Sequence, residues 1–136
     1  MKSILLFLTF FFFWNFSFSQ NVIGNVKRGF ILIAELTSKE ADSSNAYKLK
    51  FLDASSNILK SIEFNATTKE LDDLYESLIK QLPEKNGTSS DLQIGINKLN
   101  ITTQKMMGLR NILITINETS NFGINGNELK RLFGKQ

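Results

Sequence analysis

Ser77 and Lys80 are the first residues whose types and spacing suggest chemistry, because S-x-x-K is a pattern of serine acyl enzymes. In those enzymes a desolvated lysine deprotonates the serine, and an oxyanion hole stabilises the charge that develops. Here the pair falls in a stretch with helical apolar spacing, Glu76 stands in ion-pair position before Lys80, and the companion motifs of that enzyme class are absent. The pair therefore reads as a solvated helix surface. Glu70, Asp72, Asp73 and Glu76 would suit acid–base work if they converged. Adjacent positions on a helix point apart, so Asp72 and Asp73 do not. Asp42 and Asp53 read as ordinary loop and turn residues, and there is no D-x-D-x-D-G calcium loop.

The chain has no cysteine and no histidine. That removes most nucleophile–base pairs and most transition-metal sites, so no metal or cofactor is expected. Gly123-Ile124-Asn125-Gly126 lacks the strand–GxGxxG–helix context of a phosphate loop. Asn65, Asn86, Asn100 and Asn117 each begin an N-x-T sequon. These would be glycosylation acceptors in a eukaryotic secretory pathway, but in a chain this rich in Asn, Ser and Thr they arise by chance. Lys105, Arg110, Lys130, Arg131 and Lys135 are the candidate surface-contact residues. The last three sit near a helix end, where cations complement the dipole; attraction to an anionic surface is the alternative. A nucleic-acid binder would show a concentrated basic stripe, and none is visible.

The elements that position these residues follow from periodicity. Residues 29–36 are apolar on both faces and read as a covered central strand. Thr37 to Asn45 reads as a loop. Tyr47, Leu49 and Phe51 alternate with lysines, Asp53 to Asn57 is a turn cluster, and Ile58 to Phe64 returns with Ile58, Ile62 and Phe64 inward, so 46–64 reads as a β-hairpin. Leu71, Leu74, Tyr75, Leu78, Ile79 and Leu82 form one helical stripe, opened by the Thr67-x-x-Glu70 capping box and stopped by Pro83. Leu92, Ile94 and Ile96 alternate, with Leu99 and Ile101 continuing after a turn or bulge at Asn97-Lys98; Gln104 to Gly108 reads as a connection. Asn111 to Ile116 is a strand with Ile112, Ile114 and Ile116 on one face, and Phe122 to Ile124 a short one. Asn125-x-x-Glu128 opens a terminal helix carrying Leu129, Leu132 and Phe133, and Gly134 ends it.

A shift of 58 residues lays Phe64 on Phe122, Thr67 on Asn125, Glu70 on Glu128, Leu71 on Leu129, Leu74 on Leu132 and Tyr75 on Phe133. Segments 29–83 and 91–136 thus form a weak repeat. A duplication and the chance likeness of any hairpin-then-helix both remain open. The expected fold is α+β: an antiparallel sheet with two helices, as two strand-strand-strand-helix units packed in a single domain, residues 20–136.

Residues 1–19 read as a secretory signal peptide: Lys2, an apolar run from Ile4 to Trp14, then Ser17-Phe18-Ser19, with cleavage before Gln20. The run is too short to span a bilayer, so no transmembrane segment is expected after cleavage. The leader holds the only Trp and most of the twelve Phe residues, so the 11% aromatic content is no sign of an aromatic-rich surface. With no cysteine after it, a lipoprotein anchor is not expected either. The Phe-rich leader ending Ser-Phe-Ser-Gln, the Lys/Asn/Ile-heavy composition and the tail Asn127 to Lys135 resemble the small exported proteins of unknown function common in low-GC Gram-negative Bacteroidota. That resemblance implies a periplasmic or extracellular address, and no site residues.

Three functions are carried forward. The first is an exported non-catalytic binding or interaction domain with a protein or envelope partner, which could add to an exposed edge strand. The second is a small hydrolase or enzyme inhibitor using carboxylate, Ser or Lys groups. The third is an envelope-associated protein contacting anionic surfaces.

Overall fold

A computed structural model describes residues 20–40 and 44–136; the leader and Asp42 lie outside the described residues. Two four-stranded antiparallel meanders are each followed by a helix. The first comprises β1 (Asn21–Arg28), β2 (Ile31–Lys39), β3 (Asn45–Asp53), β4 (Ile58–Ala66) and α1 (Thr68–Gln81). The second comprises β5 (Ser89–Ile94), β6 (Asn97–Met106), β7 (Leu109–Ile116), β8 (Ser120–Asn125) and α2 (Gly126–Leu132). Spatial order follows chain order in both sheets.

The described chain is thus mostly sheet, and each unit has four strands where the sequence pattern predicts three. The additional strand in the first unit is β1. Its register with β2 shifts between Val22 and Gly24 and again between Val26 and Lys27. Such bulges break the period-2 alternation that marks a strand in sequence. Other boundaries move for related reasons. Gly29-Phe30 is a turn, not the start of a covered strand, and Phe30 is fully exposed. β2 runs on to Lys39, through the first third of the expected loop. The bend before β6 is at Gly95-Ile96, not Asn97-Lys98, and Ile96 is 91% exposed. Gln104 to Met106 belongs to β6, and β7 begins at Leu109. Ile58 is exposed, whereas Phe64 is buried and Ile62 packs against the core.

The locally encoded elements agree with their sequence signals. Thr67 and Glu70 form a reciprocal capping box on α1, as do Asn125 and Glu128 on α2. Each box satisfies helix-terminal amides that would otherwise lack partners. Ile112, Ile114 and Ile116 are all buried, while Leu113 on the other face is only partly so.

One hydrophobic cluster joins the inner faces of both sheets. Phe51 of β3 stacks on Phe122 of β8 with centroids 5.2 Å apart, and Tyr75 of α1 meets Phe133, the C-cap of α2, at 5.4 Å. Aromatic pairs of this kind add about 0.5–1.5 kcal/mol beyond the area they bury. The helices are exchanged between units: α1 packs on β6 as well as β4, and α2 packs on β1 and β2 as well as β8.

Candidate functional site

One cleft lies where α1 faces β5. It has a volume of about 410 Å³, with Leu74, Ser77, Leu92 and Ile94 in its wall and Glu70 and Asp73 at the helix side. A second cleft, about 690 Å³, opens on the other side of the same strand, sharing Leu92 and Gln93 and reaching Asp91, Lys98 and Glu118. β5 is the outermost strand of its sheet. An outermost strand presents a row of ladder groups along one edge, and this one has a cleft on each side.

The polar groups on the helix side of the first cleft are committed to local partners. Glu70 accepts from the Thr67 amide at 2.8 Å, closing the capping box. Asp73 pairs with Lys69 at 2.8 Å, and Asp72 turns away to Lys135 at 2.7 Å. Ser77 donates its hydroxyl proton to the Asp73 carbonyl at 2.9 Å, one helical turn back, while Lys80 is exposed. The S-x-x-K pair and the carboxylate cluster are therefore brought to one helix without converging on a reaction centre. The ion pair on that helix is Lys69–Asp73 rather than Glu76–Lys80. In the second cleft, Asp91 accepts from the Asn100 amide at 2.8 Å.

Two buried carboxylates carry the strongest electrostatics, and both are structural. Asp53, read from sequence as an ordinary turn residue, is completely inaccessible to solvent. Lys60 pairs with it at 2.8 Å, Ser55 and Ser56 donate hydroxyls at 2.8 and 2.7 Å, and the Asn121 amide of β8 donates at 3.1 Å. The Lys60 ammonium first, then the Ser56 hydroxyl and the Asn121 amide, hold its carboxyl far below the ordinary range. The group thereby ties the β3–β4 turn to the start of β8, and the Ala54 amide adds a bond to the Asn121 carbonyl. Glu128 receives a bidentate pair from Arg28, at 2.9 and 2.8 Å, while also capping α2. That contact lowers the Glu128 pKa and raises that of Arg28. Arg28 does not stand out in sequence, since its partner Glu128 is a hundred residues away, and Lys60 meets Asp53 only across the β3–β4 hairpin.

A third network lies at the end of α1. Gln81 is buried, donates to the Thr88 carbonyl and the Thr103 hydroxyl, and accepts from Ser90. Among the described residues every buried side-chain polar atom has a partner, and no three His, Cys, Asp or Glu side chains group as metal ligands would.

The five basic candidates divide between two elements. Lys105 and Arg110 are register partners across the β6–β7 hairpin, whereas Lys130, Arg131 and Lys135 belong to α2 and its tail. Arg110 donates to the carbonyls of Leu82, Pro83 and Glu84, capping the exit of α1. Lys135 is held by Asp72 and lies over the Tyr75 ring. The sequon residues are likewise engaged: Asn100 lies within β6, the Asn86 side chain accepts from the Lys105 amide, and that of Asn117 from the Lys98 amide. Asn65 is exposed on β4. No helix among the described residues is long and apolar enough to cross a membrane. Comparison with protein-family models, with curated proteins and with solved structures finds no match to this chain.

Proposed function

We propose that this protein is an exported, non-catalytic binding domain that takes an extended segment of a protein partner along β5. The observation that carries the reading is the difference between the two outermost strands that open each unit. α2 packs on β1, whereas β5 has a cleft on each side. Strand addition at such an edge uses main-chain hydrogen bonds for affinity and flanking clefts for side-chain choice. The commitment of Glu70, Asp73 and Ser77 to the helix's own architecture favours binding over acid–base or acyl chemistry at this position. The leader-like residues 1–19, and the resemblance to exported Bacteroidota proteins, support a periplasmic or extracellular address. Four strands and a box-capped helix in each half support an internal duplication.

The test is cross-linking and capture from periplasmic and culture fractions, with the wild type beside Ser77→Arg, which fills the α1 side of the cleft. A specific partner recovered by the wild type and lost by the variant is expected. Repeated recovery of the protein alone, or equal capture by the variant, overturns the reading.

A further inference from the structure

The tip of the β6–β7 hairpin combines three features that its folding does not require. Residues 105–110 are all exposed, and they include Met106, Met107 and Leu109, with Met107 entirely outside the surface of the protein. Met107 and Gly108 both have positive φ, 52° and 79°, between register partners Met106 and Leu109. That is the pattern of a two-residue type I′ turn, whose first central position favours Asn, Asp or Gly. An unbranched apolar side chain held there in a left-handed backbone, and pointed at solvent, carries a conformational cost with no packing return. The third feature is charge: Lys105 and Arg110 flank the tip, and no acid occurs from Gln104 to Asn111.

The base of the hairpin is fixed. The Lys105 amide donates to Asn86, and Arg110 is fastened to the carbonyls that end α1. The tip is therefore presented rather than merely loose. The other exposed apolar end, with Phe30, Ile31, Ile58 and Leu59, differs in its charges. Of its cations, Arg28 and Lys60 are spent on Glu128 and Asp53, and its turn places Gly29, not a bulky residue, at positive φ.

From this we infer that the β6–β7 hairpin docks on an anionic phospholipid surface, with Met106, Met107 and Leu109 entering the headgroup–acyl boundary, Lys105 meeting the lipid phosphates and Arg110 holding the hairpin base against the end of α1. Apolar residues with flanking cations are the combination that binds such an interface, each component strengthening the other. This goes beyond partner binding at β5 and involves a different element.

The experiment is co-sedimentation of the purified protein with vesicles of phosphatidylethanolamine and phosphatidylglycerol, and with vesicles of phosphatidylcholine alone. Binding to the first, weakened by salt and much lower on the second, is expected. Met107→Asn creates Asn-Gly, the dipeptide the turn prefers, so the melting temperature holds or rises while vesicle affinity drops about tenfold through loss of one buried apolar side chain. Lys105→Gln lowers affinity about fivefold and flattens the salt dependence. Phe30→Ser, at the other apolar end, leaves vesicle binding unchanged. Failure of the wild type to bind the anionic vesicles, or undiminished binding by Met107→Asn, overturns the inference. So does a Met107-dependent dimer in sedimentation without vesicle binding, which would make the tip a contact between two copies of this chain. Because Ser77→Arg reads partner capture at β5 separately, each proposal can fail while the other stands.

Discussion

The two units place similar parts in similar order yet close differently, and one register position accounts for much of that. Gly24 of β1 stands opposite Leu36, and Leu92 of β5 stands opposite Leu99. A Cβ on Gly24 would lie 1.9 Å from the Arg131 carbonyl oxygen, so α2 lies directly on the β1 backbone. Only glycine permits that approach. At the corresponding place in the second unit a leucine side chain stands in the cleft wall instead. The helices are also anchored differently. The N-terminus of α2 is tied to β1 by the Arg28–Glu128 pair, whereas the pair on the first turns of α1 is the exposed Lys69–Asp73. A closed seam and an open cleft thus follow from one small residue and one ion pair.

Breaking the closed seam should give the largest effect. Gly24→Ala is expected to cost about 3 kcal/mol in urea unfolding, at the upper end for overpacking, because its Cβ meets backbone that cannot rotate away. Leu92→Ala, on the open side, is expected to cost about 1 kcal/mol, since the side chain is only partly buried. Equal costs would dissolve the comparison. Arg28→Met leaves Glu128 buried without its partner and is expected to cost about 2 kcal/mol, discounted from the fully buried case because Arg28 is half exposed. Lys69→Met, which removes an exposed pair, should leave the urea-unfolding midpoint unchanged. Removing the caps sharpens the same contrast: Asn125→Ala is expected to cost about 2 kcal/mol and Thr67→Ala about 1 kcal/mol by thermal melting, because the Asn125 box also carries the buried Glu128.

The smallest and most diagnostic effect is in acid. Asp53 and Glu128 both have folded-state pKa values below their unfolded ones. Their contribution is therefore complete above the unfolded carboxylate range, near pH 4, and is lost as pH falls through the folded values. Melting temperature should decline progressively below about pH 4. Asp53→Asn should flatten that decline. A wild-type melting temperature independent of acid would remove the structural role assigned to both buried carboxylates.

What was legible in the sequence was local. Thr67 with Glu70, and Asn125 with Glu128, announce helix starts because each box is closed within one turn. Ile112, Ile114 and Ile116 announce a strand because alternation over an unbroken register survives in the sequence. β1 was not legible because two bulges scramble its alternation. The turns at Gly29-Phe30 and Gly95-Ile96 were hidden because a large apolar residue follows each glycine and extends the apparent run. A Gly-X pair between β-rich segments was the signal that could have found them. Of the candidate sites, Ser77 and the carboxylates of α1 were found as residues, but their partners could not be read. Met106 and Met107 passed as part of a connection, and Leu109 was assigned to no element.

By itself the sequence determined the two capped helices, the β3–β4 hairpin and the alternation of β7, since each is encoded by contacts a few residues apart. Tertiary structure alone decided which helix covers which sheet, that Asp53 is a buried tie and not a turn ornament, and that α2 packs on β1 while β5 has a cleft on each side. Those outcomes rest on pairings across the chain, Arg28 with Glu128 and Asp53 with Asn121. Folding creates the proximity and the burial that give such groups their energies, and neither exists along the extended chain.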